Sequence, residues 1–299
     1  MATVISRIAT SHGPQLMVDP SEWANLPARA GEGLPDRFDL DHHLTKDGMR
    51  ANAARNTAAL DYLKTHIERV NPDAIILVGD DQHENILDDL MPALSVYIGD
   101  SVLASPRPSI VGGDDIQSAT QYPSRSDIAE ALVHGLFDRN FDPAWSTHTR
   151  KDYGLGHAFG RPLQYITPRA NYPIVPVMLN TYYPPTLRPS RCVSIGIAIH
   201  ETIESMPTQD RVMVMASGGL SHTLIDESLD NKFMVALRNH DLEFMANMDP
   251  TQLVAGTSEI RNWIVAAACG STGGRMVDYV PCYRTSKGVG CAMGFAVWE

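Results

Sequence analysis

Ala74-Ile75-Ile76-Leu77-Val78-Gly79-Asp80-Asp81-Gln82-His83-Glu84-Asn85 is the stretch that decides the fold. Five consecutive apolar residues read as a strand buried on both faces, the kind found in a parallel or mixed sheet with helices outside. The strand runs without a spacer into carboxylates, amides and an imidazole. Upstream, Asn71-Pro72-Asp73 stops a helix expected over 47–70, where Met49, Ala53, Leu60, Leu63, Ile67 and Val70 keep near a 3.6-residue period. Downstream the alternation continues. A helix is expected over 126–137, a strand over 172–179, a helix within 188–206 and a strand over 211–216. Helices then follow over 232–248 and 258–270, and two short strands with a Gly-rich turn over 277–298. At the start, a strand over 3–10 leads into Ser11-His12-Gly13-Pro14. Residues 19–45, punctuated by Pro20, Pro27, Gly31, Gly33 and Pro35, read as irregular. With no repeat, low-complexity stretch or long linker, the expected fold is one α/β domain over residues 1–299, a central sheet flanked by helices.

Composition narrows the function. Of 299 residues, 43% are apolar and 20% charged, which excludes a disordered or collagen-like chain. Twenty-four Lys and Arg against 35 Asp and Glu leave a net charge of −11, which opposes a phosphate-tracking surface or an anionic membrane. No apolar run approaches the roughly 20 residues that span a bilayer. Met1 to Arg7 lacks the pattern of a signal peptide. The four cysteines show no C-x-x-C spacing and are expected as reduced, buried thiols in a cytoplasmic protein.

Three polar clusters follow predicted strands directly: Ser11-His12, Asp80 to Glu84, and Ser217 to His222. Ligands of open α/β sheets bind beyond the carboxyl ends of strands, and here three such ends each carry a histidine. His157 lies in the Gly-rich segment Asp152-Tyr153-Gly154-Leu155-Gly156-His157, and Glu259 opens a predicted helix. Imidazoles with one carboxylate and open positions are the set used in non-haem Fe(II) oxygen chemistry. No Walker A loop, G-x-G-x-x-G, G-x-S-x-G elbow or H-E-x-x-H is present. Each residue also has a plainer role: His12 as a strand-end polar group, Glu259 as an acid at a helix N-terminus, Gly218-Gly219 as a tight turn. His42, His43, His66, His134, His148, His200 and His240 are expected in surface or capping roles. Arg161 and Arg169 are candidates to meet a substrate carboxylate or to be solvated. Tyr153, Tyr182, Tyr183 and Trp263 are candidates for an aromatic pocket or for core packing.

Taken in order, the motifs are Thr10-Ser11-His12-Gly13-Pro14, Val78-Gly79-Asp80-Asp81-Gln82-His83, His157 with Pro162-Leu163 downstream, Ser217-Gly218-Gly219-Leu220-Ser221-His222 and Glu259-Ile260-Arg261-Asn262-Trp263. In these the chain resembles the class III extradiol ring-cleavage dioxygenases, the superfamily of the protocatechuate 4,5-dioxygenase β-subunit. The resemblance implies a mixed central sheet with the metal at the C-terminal ends of strands, mononuclear Fe(II), and O₂ as co-substrate. It implies His12 and Glu259 as metal ligands, His222 as the base that later acts as an acid, and His157 near the substrate. It further implies a small aromatic substrate, catechol-like or aminophenol-like, and a homodimer or a pairing with a separate small α-subunit. One departure stands out. The family's second ligand, a His directly after an Asp with a Pro eleven residues beyond that Asp, falls on Gln82, and His83 comes one residue late. Imidazole suits iron better than a carboxamide, which favours His83; the gapless spacing to Pro92 favours Gln82, and Glu84 is a further oxygen donor in the same loop. Two other readings stay open: a zinc-dependent hydrolase or lyase on this scaffold, and a catalytically silent subunit with a degraded metal site.

Overall fold

The computed structural model describes residues 1–27, 30–106 and 119–299. The opening strand β1 (Thr3–Thr10) is followed by single 3₁₀ turns and the short helix α1 (Asp41–Leu44). The long helix α2 (Lys46–Val70) starts at Thr45, whose hydroxyl accepts from Gly48 N, and ends on left-handed Asn71 (φ 48°). Next come β2 (Ala74–Asp80), β3 (Leu94–Tyr97), β4 (Ser101–Ala104), β5 (Thr120–Pro123), α3 (Ser126–Phe137) and β6 (Ala144–Ser146). The second half holds α4 (His157–Ile166), β7 (Ile174–Leu179), α5 (Pro189–Ser205), β8 (Arg211–Ser217), β9 (His222–Leu224), α6 (Glu227–Asn239), α7 (Leu242–Ala246), α8 (Ile260–Ala268), β10 (Arg275–Tyr283) and β11 (Val289–Trp298).

The main sheet runs β10-β11-β1-β8-β2-β7-β3-β6, with β9 added on β11. Its centre, β1-β8-β2-β7, is parallel; β11 against β1 and β3 against β7 are antiparallel, so the sheet is mixed. Buried β2 shows why: alternate residues serve two cores. Ile76 and Val78 pack with α3, α5, α6 and α8, while Ile75 and Leu77 pack with α2 and α4. Burial on both faces leaves polar groups one place to go, the strand ends. Register sets Thr10 beside Ser217 and Val78 beside Ala216, so β1, β8 and β2 release their polar residues at one edge.

Two regions depart from expectation, and one helix was not expected at all. The helix over 232–248 is two helices, α6 and α7, broken at left-handed His240 (φ 52°), where Asp241 caps the second by accepting from Phe244 N. The C-terminal strands are long, nine and ten residues. Helix α4, over which no element was expected, contains Gly160 and Pro162. Its buried side packs Ala158, Phe159, Leu163 and Ile166 into the α2 core, and that apolar burial overrides propensity. Among the described residues no helix is long and apolar enough to cross a membrane. All four cysteines are free and buried. His66 departs from its expected surface role: it is buried, with its Nε2 2.8 Å from Ser6 Oγ.

Candidate active site

At the carboxyl edge of β1, β2 and β8 lies a cleft whose lining includes His12, Gln82, His157, Arg161, His222 and Glu259. His12 leaves β1 at the sheet edge, and its ring orientation traces back to a proline. Pro162 has no N–H to give the Ala158 carbonyl four residues earlier, so that carbonyl is open inside α4. The Ser217 hydroxyl donates to it. With its proton spent there, Ser217 Oγ accepts from His12 Nδ1 at 2.8 Å. His12 Nε2 therefore carries the lone pair, and it faces Glu259 Oε2 at 3.5 Å. Burial drives the His12 pKa down to about 4 against the pull of Glu259, so this imidazole is neutral.

Glu259 ends the 3₁₀ turn ahead of α8 and is fully enclosed. Gly218 and Gly219 are more than a tight turn: both have positive φ (111° and 62°), and a Cβ on Gly218 would lie 2.5 Å from Glu259 Oε2. The close approach lets Gly219 N donate to Glu259 Oε2 at 2.9 Å. Trp263 braces the turn from below by donating Nε1–H to Gly218 O, and is core, not pocket. The other oxygen, Glu259 Oε1, is 3.4 Å from His222 Nε2 and accepts from Gln82 Nε2 at 2.9 Å. Burial opposes the Glu259 charge, yet His222 and His12 hold the carboxyl well below its usual range.

His222 donates Nδ1–H to Leu220 O at 3.0 Å, which turns Nε2 into the cleft. Burial pulls its pKa down, but the Glu259 charge outweighs burial and raises it to about 9. His157, at the first turn of α4, is anchored by Glu84: Oε1 accepts from its Nδ1 at 2.7 Å and from its backbone N at 3.1 Å. The His157 ring meets His12 edge-on, with centroids 4.9 Å apart. Three histidines thus have their Nδ1–H groups tied to protein oxygens and their Nε2 atoms available to one cleft.

The loop after β2 sorts its residues in a way spacing alone does not reveal. Asp81 accepts from the backbone N–H groups of Glu84, Asn85 and Ile86, coiling the loop on itself. His83 sits in left-handed conformation (φ 61°), stacks on Tyr183 with centroids 3.7 Å apart, and has Nε2 3.1 Å from Asp88 Oδ1. It therefore lies apart from His12 and Glu259. Gln82 points at them instead, donating to Glu259 and, at 3.2 Å, to Asp80 Oδ2. Asp80, which the sequence reading passed over, is what the fold adds. Ligand atoms of His12, Asp80 and Glu259 all lie within 4.8 Å of one another, and all three residues are buried. Burial, then the charge of Glu259, pushes the Asp80 carboxyl well above its usual range. The signal that could have found it is its place as the last residue of a fully buried strand. This donor set, one imidazole lone pair and two buried carboxylates, fits a divalent cation. Arg161 lies in the cleft wall, donating to Pro106 O and His12 O, while Arg169 is exposed. Tyr182 lines the cleft, and Tyr153 is core.

Comparison with known proteins gives the chain's family. The family model described as "Catalytic LigB subunit of aromatic ring-opening dioxygenase" matches residues 41–291. The 2,3-dihydroxyphenylpropionate/2,3-dihydroxicinnamic acid 1,2-dioxygenase of Comamonas testosteroni is 28% identical over 186 residues, 58% of this chain and 52% of that one. A protein of the same description, numbered 1, from Dechloromonas aromatica (strain RCB) is 27% identical over 218 residues, 70% of this chain and 65% of that one. The chain thus spans between half and two thirds of the length of these curated relatives. A crystal structure of the uncharacterized protein JW3007 from Escherichia coli K12 aligns over 98% of this chain and 99% of that chain, with 13% identity and a TM-score of 0.47.

Proposed function

Because the chain belongs to the family of catalytic LigB subunits of aromatic ring-opening dioxygenases, we propose that it is an Fe(II)-dependent extradiol dioxygenase that opens a catechol-like or aminophenol-like ring with O₂. The observation that carries this reading is the convergence of His12, His157 and His222, each held by its Nδ1–H, on a cleft that also contains Glu259. His12 and Glu259 would hold the ion together with a donor from the end of β2 or the loop after it. When bound, Fe(II) supplies a template for the ring's two adjacent heteroatoms and for O₂, and a path for electrons between them.

The chain's own residues supply proton handling and orientation. His222 is the base. Its pKa of about 9 comes from the uncompensated charge of Glu259. With Glu259 engaged in holding the ion, His222 Nε2 would be neutral and would take a substrate hydroxyl proton. The Leu220 carbonyl, bonded to Nδ1–H, steadies the imidazolium that results. His157, polarised by the Glu84 carboxylate, offers Nε2 to the substrate's developing charge. Arg161, enclosed beside His12, adds a fixed positive field at the same wall.

The test is anaerobic reconstitution with Fe(II) and separately with Zn(II), followed by oxygen uptake on a panel of catechols and aminophenols. Uptake that requires Fe(II) and yields a yellow ring-opened product is expected, and His222→Ala should reduce it at least about a hundredfold. Turnover with Zn(II) in the absence of O₂ would replace this reading with a hydrolase or lyase.

A further inference from the structure

We propose that the cation is bound by one imidazole and two carboxylates, His12, Asp80 and Glu259, and that Gln82 is the amide that holds the two carboxylates together, not a ligand. The proposal rests on the reading of the site as a metal centre and assigns its third donor to the end of β2, not to the loop that follows.

Three observations carry it. The first is distance: the ligand atoms of His12, Asp80 and Glu259 form one group within 4.8 Å, which His83 does not join. His83 is committed elsewhere, stacked on Tyr183 and bonded to Asp88, on a left-handed backbone held by the Asp81 turn. The second is the direction of the Gln82 amide. Its NH₂ group gives one hydrogen bond to Glu259 and one to Asp80, so the amide spans the two carboxyls, and a ligating role would require Oε1 to turn into the place the NH₂ now holds. The third is the environment of Asp80. It is 1% exposed, its side-chain hydrogen-bond partners are the amides of Gln82 and Asn262, and among the described residues it forms no ion pair. A buried carboxyl beside Glu259, with amides as its hydrogen-bond donors, is neutralised either by a proton or by a cation, and a cation in the His12–Asp80–Glu259 group would take that proton's place.

Charge distinguishes this centre from one with two imidazoles. Two carboxylates cancel a dication, where one carboxylate would leave a net charge of +1. A neutral, oxygen-rich site suits harder divalent ions such as Mn(II) alongside Fe(II).

Mn(II) alone is a sufficient probe, and the decisive readout needs no variant. Electron spin-echo modulation of the Mn(II) complex counts coordinated imidazole nitrogens, and one is expected; two inequivalent imidazoles would overturn the assignment. Titration of Mn(II) by EPR, with folding checked by circular dichroism, gives the second readout. Asp80→Asn is expected to weaken binding at least tenfold, His83→Ala to leave it within twofold, and Gln82→Ala to weaken it by less than tenfold, as removal of a positioning group does. A tenfold loss in His83→Ala or Gln82→Ala, with Asp80→Asn unaffected, would overturn the proposal. If His12→Ala and Glu259→Gln lose the ion while Asp80→Asn keeps it, the metal-centre reading stands and this proposal falls. An unaltered chain that holds neither Mn(II) nor Fe(II) would sink both.

Discussion

Glu84→Ala should cost far more stability than an ordinary loop substitution, because Glu84 does two jobs with one oxygen. Its Oε1 accepts from His157 Nδ1 at 2.7 Å and from His157 N at 3.1 Å, the latter an otherwise orphaned donor of the first turn of α4. Both residues are enclosed, at 2% exposure each. Truncation leaves two buried donors unpaired, at about 1–3 kcal/mol each. It also removes a buried carboxylate whose Oε2 has no partner, which returns part of that loss. The net expectation is about 2–4 kcal/mol of destabilisation. Glu84→Gln keeps an acceptor oxygen in place and loses only the charge assistance, so about 1 kcal/mol is expected. Urea unfolding should show this as a fall in the midpoint at constant m. Nitrogen-15 NMR of His157 should show the Nδ1–H tautomer in the parent and in Glu84→Gln, and a mixture in Glu84→Ala. Gly156 supplies an internal control, because a Cβ there would lie 1.7 Å from Glu84 Oε2. Gly156→Ala should therefore be damaging with Glu84 present and mild in the Glu84→Ala background, a non-additivity above about 1 kcal/mol. An effect of Glu84→Ala below about 0.5 kcal/mol, the range of neutral surface changes, or additivity of the two substitutions, would refute the reasoning.

Other outcomes follow from the same structure. Pro162→Ala gives α4 an N–H that competes with Ser217 for the Ala158 carbonyl. Mn(II) binding should weaken about tenfold through the orientation of His12 while the melting temperature holds or rises, and an unchanged affinity would break the chain of bonds proposed here. Asp230 is raised by burial from 3.8 to about 6, against the hydrogen bonds of Ser221 and Tyr279. A carboxyl raised on folding stabilises below its unfolded pKa and loses that contribution as pH climbs through the folded value. Asp230 should therefore withdraw about 3 kcal/mol between pH 4 and pH 7, and Asp230→Asn should flatten that part of the stability profile. Burial pushes the thiols of Cys192, Cys269 and Cys282 up to about 12, and that of Cys291 up as well. No cysteine should react with a thiol reagent at pH 8 until the chain unfolds, and fast labelling of the native protein would contradict that.

Some of the architecture was legible because its causes are local. The apolar run of β2, the period of α2 and the alternation of strands with helices record which faces are buried, and burial on both faces of a strand forces polar groups to its end. That logic singled out His12, the Asp80 to Glu84 loop and the Ser217 to His222 turn as parts of one edge. It gave no expectation for α4, where Pro162 and Gly160 lower helix propensity while the packing of Phe159 and Leu163 that outweighs them involves residues distant in the chain. It missed the break at His240 as well, because apolar residues continue past it in sequence while the backbone turns left-handed.

The sequence by itself determined the α/β alternation and the candidates His12 and His222, because residue type and strand-end position carry that information, and the order of motifs added His157 and Glu259 through the family resemblance. Only the tertiary structure decided which residues of the 80–85 loop face the site. One left-handed φ at His83 and one Asp81 turn send His83 outward, point Gln82 inward, and leave Asp80 beside Glu259, 179 positions away in the chain. The pairings of Glu84 with His157 and of Pro162, through Ala158 and Ser217, with His12 are likewise long-range hydrogen bonds. Side-chain direction depends on backbone angles and on partners brought close by folding, and neither is written in the spacing of residues along the chain.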